Sequence, residues 1–400
     1  MKSFQKPSKR MQPSVVQNEY YESVSERFGI AQVILYLALL AFVVLFFLRN
    51  TNLLTYRNFY YFIKDLNASA ETVDVVNTDS VSYPTDKTQS FTLYRRGLAV
   101  AGNGSVTVFN ATGRQTVSDH ISYASPVSVG RGKYLLVYDL GGTKYSLYNS
   151  YTQIFEGECD RPISGATVSD TGMYALISSS SSYQSVVSLY SSNFSLLNVY
   201  NKNGYVTDVC ISPNGKTVAM VASSVHNGGF STELMVCQVQ ATTAKATVKI
   251  ADSMALSCVF SGNDRIGILC SDGAYVYNTD GEAVNACSFQ GETVVAADVT
   301  ENGIAVCLGT LGGTERKKIL VLSERGEFVY QGNAALQVDA IARSQNAVYL
   351  QTASGLLRLD LTNGAYTEKR CNTEQKTLLA VSDTEAMLCS PQKAVYYTFD

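Results

Sequence analysis

The chain has 400 residues, 46 % of them apolar, with 31 bases against 34 acids and a net charge of −3. That length supports one large or two ordinary domains with a sizeable core, and the apolar, weakly charged composition (16 % charged) excludes a disordered or collagen-like chain. The charge balance excludes a broad nucleic-acid-binding surface, and the absence of Trp and the presence of only two His (His120, His226) remove most imidazole chemistry.

Residues 1–64 carry eight bases and three acids, a balance of +5, which leaves −8 on the remainder. The first 27 residues are polar, show no apolar period, and read as a disordered cytoplasmic tail. Residues 28–48, FGIAQVILYLALLAFVVLFFL, are 21 residues without a charge. As a helix they rise ~31 Å, enough to cross a hydrocarbon core of ~30 Å. A cleaved signal peptide would be shorter and would end in small residues, whereas this run ends in Leu48-Arg49-Asn50. The reading is a retained transmembrane helix. Five bases precede it and three follow within residues 49–64, so the expected orientation is N-terminus cytoplasmic and C-terminal domain extracytoplasmic. Residues 49–70, with Tyr56, Phe59, Tyr60, Tyr61 and Phe62 beside Arg57 and Lys64, read as a juxtamembrane amphipathic and aromatic segment at the interface.

From Thr88 onward helical periodicity gives way to short alternating strands punctuated by glycine turns. One turn type precedes a very apolar strand at Gly97, Gly132, Gly172, Gly215, Gly262 and Gly303, at spacings of 35, 40, 43, 47 and 41 residues. A second falls about twenty residues later in 108–117, 276–284, 321–330 and 360–368. Two hairpin turns per ~40-residue period make four strands per unit, which is a β-propeller blade. The expected fold is all-β, a single propeller over 71–400 preceded by one transmembrane helix. Seven units fit between 86 and 373, and residues 374–400 supply three more strands. A strand at 71–78 pairing with 374–400 completes an eighth blade and hides its edge. Seven blades is the alternative count.

The anchor, the juxtamembrane TNLLTYRNFYYFIKDL, and the blade segments YLLVYDLGG, YNS and VTDVCISPNGKTVAMV resemble a family of membrane-anchored propellers of Gram-positive anaerobes, domain of unknown function family 5711. The resemblance covers most of residues 28–400; it implies a one-span propeller and brings no activity with it. The blades more distantly resemble WD-type and quinoprotein-type repeats, without the Trp-Asp ending of the former or the tryptophan docking of the latter.

Nine cysteines form no C-x-x-C, and no His lies at metal-ligand spacing, so neither a zinc site nor any other cofactor is expected. Most sit in apolar strands and read as small buried hydrophobes. No G-x-S-x-G elbow is present, and the acids Asp170, Asp264 and Asp383 fall in turns, where Asp caps backbone N–H groups. What remains is three long loops, 178–184, 223–232 and 309–317, which read either as recognition loops on a rigid scaffold or as tolerated Ser/Gly-rich insertions. The first two, on adjacent blades, display Tyr183, His226, Asn227 and Phe230 as candidate partner-binding residues. The expected function is a non-catalytic scaffold of the cell envelope that binds a protein partner. The alternative is an extracytoplasmic enzyme or carbohydrate-binding module working in the central funnel.

Overall fold

The computed structural model describes residues 19–49, 79–241, 243–309, 318–334, 336–374 and 376–399. It divides into two units, residues 1–57 and 58–400.

In the first unit a single helix runs Glu19–Arg49, 31 residues or ~46 Å long, beginning inside the segment expected to be a disordered tail. Side chains 27–42 are all exposed, and the two polar ones in the apolar run meet each other, Gln32 Nε2 donating to Tyr36 Oη at 3.4 Å. Among the described residues no helix is long and apolar enough to cross a membrane. The span expected over 28–48 includes position 43 and positions 45–48, whose side chains lie outside the described residues. The juxtamembrane segment 49–70 lies outside them too, apart from Arg49, which ends the helix.

The second unit is eight four-stranded antiparallel sheets. Seven are consecutive in sequence, covering 89–120, 126–158, 165–202, 205–251, 255–288, 293–333 and 338–370. They are numbered blades 1 to 7. The eighth combines Thr377–Ala380, Glu385–Cys389 and Lys393–Thr398 with the N-terminal strand Ser80–Ser82 as its outer edge. The closing strand therefore pairs Ser80 with Val395, Val81 with Ala394 and Ser82 with Lys393. Residues 71–78, where the sequence pattern placed it, lie outside the described residues.

Each blade's first strand faces the ring axis and its fourth lies outermost. The second strands, such as Tyr134–Asp139 and Gly303–Gly309, are buried along nearly their whole length because a neighbouring blade covers each face. Eight apolar clusters fill the eight blade-to-blade interfaces, one each, including Val81, Tyr83, Leu98, Phe109 and Met387 between blades 8 and 1. A seven-blade ring has seven interfaces and would leave one of these clusters without a place. The count is eight.

Tyrosine supplies the bolts that tryptophan supplies elsewhere, because its ring fills the interface while its hydroxyl satisfies a carbonyl of the next blade. Tyr94 Oη donates to Lys133 O at 2.5 Å and Tyr349 Oη to Ser382 O at 2.9 Å. Five of the six marker glycines take positive φ. At the sixth turn Arg95 and Arg96 carry the left-handed conformation instead (φ 50° and 61°), and Gly97 is required because a Cβ there would lie 2.0 Å from Phe109 O. All nine cysteines are free thiols, seven of them buried.

Candidate functional site

Antiparallel blades give the ring two unlike faces. The turns joining first to second and third to fourth strands share one face, called here the turn face. The connections joining second to third strands, and blade to blade, share the other, called the loop face.

On the loop face the segment 178–184 is a compact turn: Ser180 N donates to Tyr183 O at 3.1 Å, and Ser180 Oγ accepts from Tyr183 N at 3.0 Å. This presents the Tyr183 ring, 39 % exposed. The segment 223–232, expected to be a loop, is instead an extension of two strands, Thr217–His226 and Gly229–Gln238, paired out to His226 with Gly229. Its turn is only Asn227-Gly228, both at positive φ (51° and 81°). An Asn-Gly pair between alternating residues is a strong short hairpin signal, because both residues tolerate left-handed backbone. The sequence shows it as HNGG. Asn227 thus shapes the tip, His226 ends the strand, and Phe230 sits opposite Val225, their side chains 48 % and 60 % exposed. The third long loop, 309–317, lies outside the described residues apart from Gly309.

Around this projecting hairpin the same face exposes Tyr205 at the start of blade 4 and Met254 and Leu256 at the start of blade 5. Tyr183 and Phe230 therefore belong to a larger apolar set on blades 3 to 5, although no contact joins those two rings among the described residues. The additional members were hidden in the sequence because strand-initial residues look like core in an alternating pattern.

Toward the axis, acids that the sequence left unremarked are committed to structure. Asp208 Oδ2 accepts from Cys258 N at 2.8 Å and Ser257 Oγ at 2.9 Å, tying blade 4 to blade 5. Asp298 Oδ2 accepts from Arg343 N at 2.7 Å, tying blade 6 to blade 7. Burial raises both carboxyl pKa values, and these hydrogen bonds work against the rise. Asp383 caps, but not locally: its carboxylate receives Asn346 N at 2.8 Å and Ser344 Oγ at 2.6 Å from the preceding blade's turn. At the turn face an ion pair of 3.0 Å joins Arg131 of blade 2 to Glu301 of blade 6, diametrically across the ring. Among the described residues no group of three or more His, Cys, Asp or Glu could hold a metal ion.

These features define a β-propeller of eight four-stranded blades whose polar interior is used for blade-to-blade joinery. The chain belongs to a family of unknown function, DUF5711, whose model matches residues 67–394. Its fold is similar to that of solved propellers. Sqt1 of Saccharomyces cerevisiae has a TM-score of 0.59 at 8 % identity, over 80 % of this chain and 97 % of that one. Sqt1 of Chaetomium thermophilum, solved with the N-terminus of ribosomal protein L10 bound, has 0.55 at 12 % identity, over 80 % and 100 %. BamB of Moraxella catarrhalis has 0.52 at 12 % identity, over 80 % and 99 %. No curated protein matches the sequence.

Proposed function

We propose that the protein is a non-catalytic, membrane-tethered scaffold of the cell envelope that docks a protein partner on the loop face of blades 3 to 5. The observation that carries this reading is the exposed set Tyr183, Tyr205, Val225, Phe230, Met254 and Leu256, gathered on one face around a projecting hairpin. Exposed aromatic and aliphatic residues on a rigid frame suit partner binding, since little order is lost when they are covered. The L10 segment bound in the Chaetomium protein is an instance of this fold holding a polypeptide.

The tether is the Glu19–Arg49 helix. In its uncharged run 28–48 only Gln32 and Tyr36 are at all polar, and they meet each other, which suits a helix surrounded by lipid. The base bias of five to three supports a propeller outside the cytoplasm.

The test uses a photo-crosslinking residue at Phe230 or Tyr183 in intact cells, with the turn-face position Thr112 as control. Discrete adducts from positions 230 and 183 that disappear in a Tyr205→Ser/Val225→Ser background support the docking face. Equal adduct patterns from position 112 overturn it. For orientation, a membrane-impermeant thiol reagent should label Asn193→Cys but not Ser14→Cys in a background with Cys159 and Cys371 replaced by Ser. The reverse pattern would place the propeller in the cytoplasm.

A further inference from the structure

The turn face separates its charges. In blades 1 and 2 its turns, 95–96, 110–114, 132–133 and 149–152, hold Arg95, Arg96, Arg114 and Lys133 and no acid. In blades 5 and 6, diametrically opposite, the turns 262–264, 279–282, 301–302 and 324–327 hold six acids and one base. Three of those acids are engaged within the chain: Asp280 with Lys245 at 2.6 Å, Glu301 with Arg131 at 3.0 Å, and Glu324 with Arg265 and Arg325 at 3.6 and 3.9 Å. Asp264, Glu282 and Glu327 on one side, and Arg96, Arg114 and Lys133 on the other, are exposed and have no ion pair among the described residues. Between the two sides, blade 3 presents Asp170 and blade 4 presents Lys216, both exposed and likewise without an ion pair there. Arg96 is moreover held at φ 61°, which a glycine would adopt at less cost.

A face with opposite charges on opposite sides is complementary to itself when turned over. Consider a two-fold axis lying in the face, passing between blades 3 and 4 and between blades 7 and 8. It lays blade 1 on blade 6 of a second copy, blade 2 on blade 5, and blade 3 on blade 4. Each pairing sets base against acid: Arg96 and Arg114 against Glu327, Lys133 against Asp264 and Glu282, and Lys216 against Asp170. Every such contact occurs twice, as an isologous interface requires. The fourth pairing lays blade 7 on blade 8, where the carboxylates of Asp360 and Asp383 are already engaged, the first by Arg358 and the second by Ser344 and Asn346. The face is also level. None of its connections exceeds five residues, whereas the loop face carries the projecting hairpin. Exposed ion pairs alone stabilise little, so an apolar contribution is needed. Leu196, Val284 and Phe328, at the starts of the outer strands of blades 3, 5 and 6, are exposed along the rim of this face and supply it.

We infer that the turn face binds the turn face of a second copy of this chain, in a two-fold dimer whose register is set by blades 1 and 2 opposing blades 6 and 5. A polyanionic partner would use only the basic half and would be repelled by the acidic half, whereas a second copy uses both. The interface shares no residue with the loop-face set and does not depend on the tether, so either reading can fail without the other.

The experiment measures sedimentation velocity of the full-length protein in nonionic detergent. The parent should be a dimer at about 25 mM salt, and its dissociation constant should rise at least about tenfold at about 0.5 M. Two triple variants change only exposed turn residues: R96E/R114E/K133E makes the face acidic throughout, and D264K/E282K/E327K makes it basic throughout. Each alone should weaken the dimer at least about a hundredfold, because every pairing between blades 1 and 6 and between blades 2 and 5 becomes repulsive. An equimolar mixture of the two should form a heterodimer at least as tight as the parent, since the charges are then complementary at every pairing. That recovery also shows that both variants are folded, and it separates this interface from any association through the helix. A monomeric parent, a dimer insensitive to salt, a dimer that either variant retains, or a mixture that stays monomeric overturns the proposal. A monomeric parent that binds polyglutamate assigns the basic half to an acidic partner instead, and overturns it equally.

Discussion

Ring closure depends on a very short element, and Tyr83→Ala tests it. Tyr83 follows the closing strand Ser80–Ser82, is 7 % exposed, and fills the interface between blades 8 and 1. Its ring lies 5.7 Å from that of Phe91 and 6.3 Å from that of Phe109, and its hydroxyl donates to Ser390 O at 2.7 Å. Truncating a buried aromatic costs about 3–5 kcal/mol through lost burial and the cavity left behind. Losing only the hydroxyl, as in Tyr83→Phe, costs about 1 kcal/mol. With a urea slope of ~3 kcal/mol/M, the unfolding midpoint should fall by about 1–1.7 M for Tyr83→Ala and by a few tenths for Tyr83→Phe. Ser80→Ala, exposed on the same strand, should stay within ~0.5 kcal/mol of the parent. Urea titration of the full chain in detergent, followed by circular dichroism, reads all three. If Tyr83→Ala unfolds with the midpoint of Ser80→Ala, the end-to-end closure does not hold the ring, and the eighth interface is not the structural seam described above.

Arg96 is exposed and held at φ 61° in a turn that favours glycine, so Arg96→Gly should raise stability by about 1 kcal/mol, read as a higher urea midpoint. Asp208 has its pKa raised by burial, so the folded state holds its proton more tightly than the unfolded chain does. Its contribution to stability therefore grows as pH falls through the folded pKa and is complete below the unfolded value near 3.8. The stability difference between the parent and Asp208→Asn should accordingly move in favour of the parent as pH is lowered from 7 toward 4, and a flat difference would refute the burial argument. A thiol reagent applied to the folded protein should reach at most Cys159 and Cys371, the two partly exposed cysteines, and all nine only after unfolding. Burial, with Asp160 and Glu158 nearby, pushes the Cys159 thiol up to about 11, so even that reaction should be slow at neutral pH. Adding reductant should leave the melting temperature unchanged, since no disulfide is present to break.

The sequence by itself determined the blade. Alternation with period two and glycine at the turns are local properties, and they located the four-strand unit because a strand shows its pattern wherever it ends up. Gly113, Gly281, Gly326 and Gly364 were legible as hairpin turns for that reason, and each takes positive φ. The closing partner was legible only as a necessity: three C-terminal strands required a fourth. Which residues supplied it was settled by pairing across more than 300 positions, where the strand Ser80–Ser82 is too short to carry a pattern of its own. Polar residues inside apolar strands were the other blind spot. Asp208 in VTDVCI and Arg343 in VDAIAR look alike in sequence, as charges interrupting a buried strand. Tertiary structure separates them: Asp208 is met by an N–H and a hydroxyl from the next blade, whereas Arg343 gives Nη1 to Leu322 O and leaves its buried Nε without a partner among the described residues. Whether a buried charge is fully satisfied depends on what the neighbouring blade places within about 3 Å of it, and only the closed ring decides that.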